Sequence, residues 1–350
     1  MNAHTSHDRL WQKRLDALSA VWPDFLGGET KALHKARVAS RRIREALPVV
    51  AASAPAGKVR KLKKRMRELT QFLGPIRELD VELDLLDKQA DTDGVPRSAL
   101  AMVRREVAAR RLALRHDLGE NPPVGDIRKL IKKLEKIEKL DREEGKKKRA
   151  EGKGRRAEGK GQRAEGRGQK AKRGTKKSEK YEAAWRGVLA ARLLNRAKAL
   201  RASIDAAGPL YTPERIHGVR ISTKKLRYAL EIAQESGIAR AGALVKALKK
   251  HQERLGSLHD FQGLLKHVRE AESSPSVGSR ITELTAYADS LERECRRLHA
   301  DFLEHRDTLI DTLDEVKYEL VPELTTPVRR QARVSKAGTD AKGAHGKRAV

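Results

Sequence analysis

The sequence predicts an all-α protein on three observations. Apolar residues recur at three- and four-residue spacings along almost the whole chain, alternating β-branched runs are absent, and prolines and glycines gather at breaks such as "WPDFLGG", "SAPAG", "NPPVG" and "AAGPLYTP". The charge is just as uneven. Residues 141–180 carry 17 Lys or Arg against 7 Asp or Glu, and residues 326–350 carry 7 against 1, so these two segments hold +16 of the net +29. The first contains "RAEGKGR", "RAEGKGQ" and "RAEGRGQ" in succession, a seven-residue repeat without a large apolar side chain, which cannot bury a core. The expected organisation is a helical segment over 8–140, a disordered Lys/Arg/Gly/Glu-rich insert over 141–180, a second helical segment over 181–320, and a disordered basic tail over 326–350. Each helical segment is long enough for a bundle.

Along the first segment, "LHKARVASRRIREAL" (33–47) is an amphipathic helix. At 100° per residue His34, Arg37, Arg41 and Arg44 fall within roughly 80° of one another, and Ala36, Ala39, Ile43, Leu47 and Val50 form an apolar stripe opposite. Val38 lies beside the cations, so a neighbouring helix must partly cover that flank. The next helix has a core stripe of Leu62, Met66, Leu69 and Leu73, with Lys64 and Arg67 away from it, and it ends in "FLGPIRELDVELDLL" (72–86). Beyond it Arg97, Arg104, Arg111 and Arg115 make a further stripe, equally readable as plain surface.

The second segment repeats this order. "IHGVRISTKKLRYAL" (216–230) places His217, Arg220, Lys224, Lys225 and Arg227 where the first copy has His34, Arg37, Arg41, Arg42 and Arg44, 183 residues apart. Val219, Leu226, Leu230 and Ala233 occupy its buried side, and Ile221 lies beside the cations as Val38 does. At an offset of 182, Lys246 and Lys249 align with Lys64 and Arg67, and Leu255-Gly256 of "RLGSLHDFQGLL" with Leu73-Gly74. A solvated surface helix also sets cations opposite a core stripe, but it could use Glu or Gln as well. Recurrence of residue type at matched positions therefore favours a ligand.

These residues resemble the two repeats of CHAD domains, a family named for a histidine and an α-helical domain. The resemblance covers roughly residues 8–320 apart from the insert. It implies two pseudo-symmetric four-helix bundles whose histidine helices line a basic groove, and it implies binding of inorganic polyphosphate. Carried over by position, the ligands are His34, Arg37, Arg41, Arg44, Lys64 and Arg67, then His217, Arg220, Lys224, Arg227, Lys246 and Lys249. The sequence departs from an even repeat where His259 stands in place of Arg77 and where the basic insert divides the halves. The strand signature Glu-x-Glu-x-Lys of the triphosphate-tunnel domains fused to some members does not occur.

The chemistry is consistent with that implication. A phosphate polymer carries repeated charge without bases, so its binder needs cations at helical intervals; arginine offers bidentate contacts and lysine a mobile point charge. Anions favour protonated histidine while Arg37 and Arg41 oppose it in the empty site, so binding should strengthen as pH falls. Glu78, Asp80 and Asp260 are too sparse and too surrounded by cations to hold a catalytic metal, and orienting arginines is the role expected of them. His251, His267, His299 and His305 show no metal spacing. The expectation is binding without catalysis, with no metal and no cofactor.

The competing reading is a non-specific nucleic-acid binder acting through the basic insert and tail. Aromatic residues make up only 3% of the chain and no recognition-helix or stacking motif appears, which argues against base readout. One cysteine, Cys295, rules out an intramolecular disulfide and fits a reducing compartment. The N-terminal "MNAHTSHDRLWQKRL" lacks a signal-peptide apolar run, and no window approaches a membrane span. A soluble cytoplasmic protein is expected, with attachment to polyphosphate granules as a corollary and no signature of an oligomeric state.

Overall fold

The apolar stripes read from the sequence are buried faces of helices. The structure, a computed structural model, describes residues 6–92, 94–120, 127–157, 169–274 and 278–326, and among the described residues there is no strand. The first half supplies α1 (Ser6–Leu26), α2 (Thr30–Val50), α3 (Ala56–Phe72), α4 (Gly74–Gln89), α5 (Arg97–Glu120) and α6 (Ile127–Ala157). The second supplies α7 (Gln169–Ala207), α8 (Pro213–Glu235), α9 (Ala241–Glu272), α10 (Ile281–Glu304) and α11 (Arg306–Glu315), then a π-helical stretch, Val316–Leu320, and α12 (Val321–Thr325). Ala36, Ile43 and Leu47 of α2 and Val219, Leu226 and Leu230 of α8 are fully buried, while Val38 and Ile221 are half-buried, as the flank beside the cations requires.

The order of elements repeats. Helix α2 starts 183 positions before α8, and α5 and α10, each 24 residues long, start 184 apart. The counterpart of α3 and α4 together is the single helix α9. Leu-Gly is followed by Pro75 in the first half, whose ring cannot continue a helix but suits a helix start; in the second half it is followed by Ser257, and α9 runs through.

The two halves do not bury separate cores. The larger core joins α1, α2, α3 and α6 with α7, α8, the first half of α9 and the end of α10. The smaller joins Leu79, Leu86, Val103 and Val107 of α4 and α5 with Leu264, Val268, Leu284 and Leu291 of α9 and α10. Helices α2 and α8 consequently meet at the middle of the molecule.

The insert differs from expectation. Residues 141–157 and 169–180 continue α6 and α7 as helical backbone, whereas residues 158–168, and residues 327–350 of the basic tail, lie outside the described residues. The reason is propagation: Ala, Glu, Lys and Arg extend an existing helix at little cost, even where they could not nucleate one. The boundary at 140 also moves, because Asp141 is buried and its Oδ1 accepts hydrogen bonds from the backbone N–H groups of Ser53 and Ala54, the latter at 2.9 Å. That carboxylate ties α6 to the α2–α3 connection.

Candidate functional site

Helices α2 and α8 turn their cationic faces toward one cavity of about 720 Å³, which α4 and α9 complete and α5 edges. From α2 come His34, Arg37 and Arg41; from α8 come Arg220, Lys224 and Arg227; Arg77 and Glu78 of α4 and His259 and Asp260 of α9 add to the lining. A smaller cavity of about 450 Å³ shares Arg37, Arg41 and Lys224 and adds Arg44 and Lys225. The repeated cation order thus builds one site from two helices.

The start of α2 is fixed from outside. Gly28, with φ of 87°, makes the turn after α1, and its carbonyl accepts from Arg115, while Arg111 and Arg115 each donate to Thr30 Oγ1 at 3.0 Å. Arg111 also pairs with the buried carboxylate of Asp80, so part of the α5 arginine stripe is structural. Arg37 donates from Nη1 to the Thr70 carbonyl at 2.8 Å and lies 3.6 Å from Glu78. Its approach depends on Gly74, where a Cβ would fall 2.8 Å from that Nη1; Gly256, at the matching position, has open space.

The lining carboxylates Glu78, Glu82 and Asp260 leave three of the lining cations without a bonded partner. Arg41, Arg220 and Lys224 make no hydrogen bond or ion pair among the described residues, and Arg220 Nε is buried without a partner. Burial, then repulsion from Arg220, Arg41 and Arg37, pushes the Lys224 amine down to about 6. Burial and Arg41 also bring Arg37 down to about 10. His34 is lowered by burial and by Arg77, Arg37 and Arg41, and His217 by burial and by Arg220 and Lys224. His259 falls to about 3, through burial and then Arg220 and His217. Asp260 moves up through burial, against the pull of Arg220 and Lys224. A bound anion would reverse every downward shift that repulsion causes.

The structure sorts the expected ligands into three groups. His34, Arg37, Arg41, Arg220, Lys224 and Arg227 line the main cavity, and Arg44 the adjoining one. His217 is exposed and reaches the site through His259, their ring centroids 4.9 Å apart. Arg227 is committed elsewhere: its Nε donates to Gln252 Oε1 at 2.7 Å and its Nη1 to the buried Glu231, which also takes Arg42 at 2.9 Å. Lys64, Arg67, Lys246 and Lys249 are all exposed and line neither cavity. The expectation that α3 and α9 add these cations to the same site is therefore corrected.

Their placement follows from the helix wheel, since Lys64 and Arg67 sit roughly 140° to 200° round α3 from its buried stripe. Lys64 lines a different lysine-rich groove between α3 and α6 and lies 4.0 Å from Glu68, and Lys249 lies 3.6 Å from Glu253. Conversely, Arg77 and His259 belong to the lining. Their signal was the 182-residue offset, which aligns them as it aligns Glu78 with Asp260. Arg110, Lys266 and His267 also reach the cavity edge, and His267 Nδ1 lies 3.1 Å from the buried Glu82. Asp301, Glu304 and His305 offer metal-ligand atoms within 4.8 Å of one another, but Arg254 holds Asp301 at 3.3 Å and His305 Nδ1 lies 2.8 Å from the Asp301 carbonyl. Local pairing accounts for that group.

A sequence model of the CHAD domain family matches residues 9–269. No curated protein matches the chain significantly. Among solved structures, the crystal structure of the CHAD domain from the plant Ricinus communis matches with a TM-score of 0.51 at 18% identity, covering 91% of this chain and 94% of that one. At that identity the likeness concerns the fold. No helix among the described residues is long and apolar enough to cross a membrane.

Proposed function

The chain belongs to the CHAD domain family, and from that premise we propose that it holds inorganic polyphosphate, without cleaving it, in the cavity between α2 and α8. One observation carries the reading: Arg41, Arg220 and Lys224 converge on that cavity without a hydrogen bond or ion pair among the described residues. Structural cations in proteins are paired, because an unpaired buried charge is costly. An unpaired cluster facing a cavity is therefore suited to binding an anion, and a polymer of phosphates can satisfy several of its members at once. Glu78 and Asp260 support Arg37 and Arg220 electrostatically, and among the described residues the one group of metal-ligand atoms close enough to share an ion, Asp301, Glu304 and His305, is not in this cavity. Attachment to polyphosphate granules follows as part of the same reading.

The test is a competition between long-chain polyphosphate and duplex DNA, matched in phosphate concentration, at physiological salt. DNA offers its phosphates on a wide, stiff cylinder, whereas a single polyphosphate strand can enter the cavity. Polyphosphate should displace DNA completely, and DNA should displace polyphosphate poorly. Equal competition would place binding on general surface charge, the nucleic-acid reading.

A further inference from the structure

Two observations single out Lys224 among the lysines of the described residues. Its side chain stands between the two cavities, lining both, and it makes no hydrogen bond or ion pair among the described residues. The groups around it include three guanidinium groups, Arg37 and Arg41 from α2 and Arg220 from its own helix, together with His34 of α2, His217 of its own helix, and Asp260 and His259 of α9. An amine beside guanidinium groups that can bind phosphate is the arrangement needed to capture a small phosphorylated electrophile and react with it.

We propose that Lys224 is a site of covalent acylation by small acyl phosphates, the phosphate docking on Arg41 and Arg220 while Nζ attacks the acyl carbon. The proposal rests on the reading of this cavity as an anion site. The Nζ lone pair forms the N–C bond, the C–O bond to phosphorus breaks, the bonding electrons leave with inorganic phosphate, and the amine proton passes to water or to that phosphate. The product is an amide, which carries no charge. Acylation therefore prevents Lys224 from taking up the proton that would pair it with a bound phosphate, and it weakens the hold on polyphosphate.

The free amine is already the reactive form, since burial and the three arginines keep Lys224 at about 6. At pH 7.5 its neutral fraction is about a thousandfold that of an ordinary exposed lysine, and its lower basicity offsets part of that gain, leaving an advantage on the order of tenfold.

Acetyl phosphate is the probe, incubated with the full chain at pH 7.5 and followed by peptide mass spectrometry. Lys224 should be acetylated on the order of tenfold faster than the exposed Lys246 and Lys249, and Arg41→Gln should reduce that rate severalfold while leaving Lys246 and Lys249 unchanged. Acetylation at Lys224 no faster than at those exposed lysines, or unaffected by Arg41→Gln, would overturn the proposal. Pre-bound long-chain polyphosphate should protect Lys224. Acetylation that polyphosphate does not block would count against the polyphosphate reading and leave this one standing, whereas a protein that binds polyphosphate but is not acetylated at Lys224 would sink this proposal alone.

Discussion

Replacing Arg41, Arg220 and Lys224 together by glutamine is expected to lower affinity for long-chain polyphosphate by at least about a hundredfold, and to make the ligand-free protein more stable. Both effects have one cause. Each of the three lines the cavity without a hydrogen bond or ion pair among the described residues, so each has contacts to lose only when the anion is bound. In the ligand-free protein burial, then repulsion of its ammonium form by Arg220 and Arg41, holds the Lys224 amine at about 6. Keeping that amine neutral at pH 7.5 costs the fold on the order of 4 kcal/mol, part of which Lys224→Gln alone should restore as a rise of several degrees in Tm. Glutamine keeps helix propensity, so circular dichroism should show an unchanged helical content.

Two controls separate the site from general charge. Lys64→Gln with Lys249→Gln, on exposed residues near Glu68 and Glu253, should change affinity less than about threefold at physiological salt. Arg227→Gln should instead destabilise the protein, because the buried Glu231 would keep only Arg42. A triple variant that binds polyphosphate as tightly as the parent would remove the cavity from the account.

Binding should also take up a proton near neutral pH. Lys224 stands at about 6 in the empty site, and phosphates that replace the repulsion of Arg220, Arg41 and Arg37 would raise it. Between the free and bound values the complex holds one more proton than the free protein. Affinity therefore rises as pH falls from 8 toward 6, by up to about tenfold per unit for one proton. Below about 6 the Lys224 contribution flattens, and His34, His217 and His259, all lowered in the empty site, continue the trend. Folding follows the same linkage: Lys224 is depressed in the folded state, so its contribution to the stability of the ligand-free protein is full above its ordinary value and is lost as pH falls to about 6. Calorimetric titration with long chains in two buffers of different ionisation enthalpy gives the proton count directly. An uptake of zero at pH 7.5 would mean that Lys224 does not face the ligand.

Much of this was legible because the fold and site are written in helical spacing. The stripes of α2 and α8 are buried where the wheel puts them, and the cations opposite recur in the same order, so two helices with matching cationic faces could be read without coordinates. Spacing says nothing about which cations another residue has already claimed. Arg227 keeps the register of Arg44, yet the buried Glu231 and Gln252 of a different helix hold it. Lys64 and Lys249 keep their register too, but the buried faces of α3 and α9 turn them to solvent. The two Leu-Gly pairs look alike in sequence, and only the residue after each decides whether the helix breaks. The helical extension into 141–157 was missed because a segment unable to bury a core can still prolong a helix that begins in one.

The most direct test of the central claim is a structure of the full chain with bound polyphosphate. The account predicts consecutive phosphates between α2 and α8, their oxygens within hydrogen-bond distance of Arg41, Arg220 and Lys224, with Arg37 still on the Thr70 carbonyl. Phosphates running instead along the exposed lysines between α3 and α6, with the α2–α8 cavity empty, would contradict it.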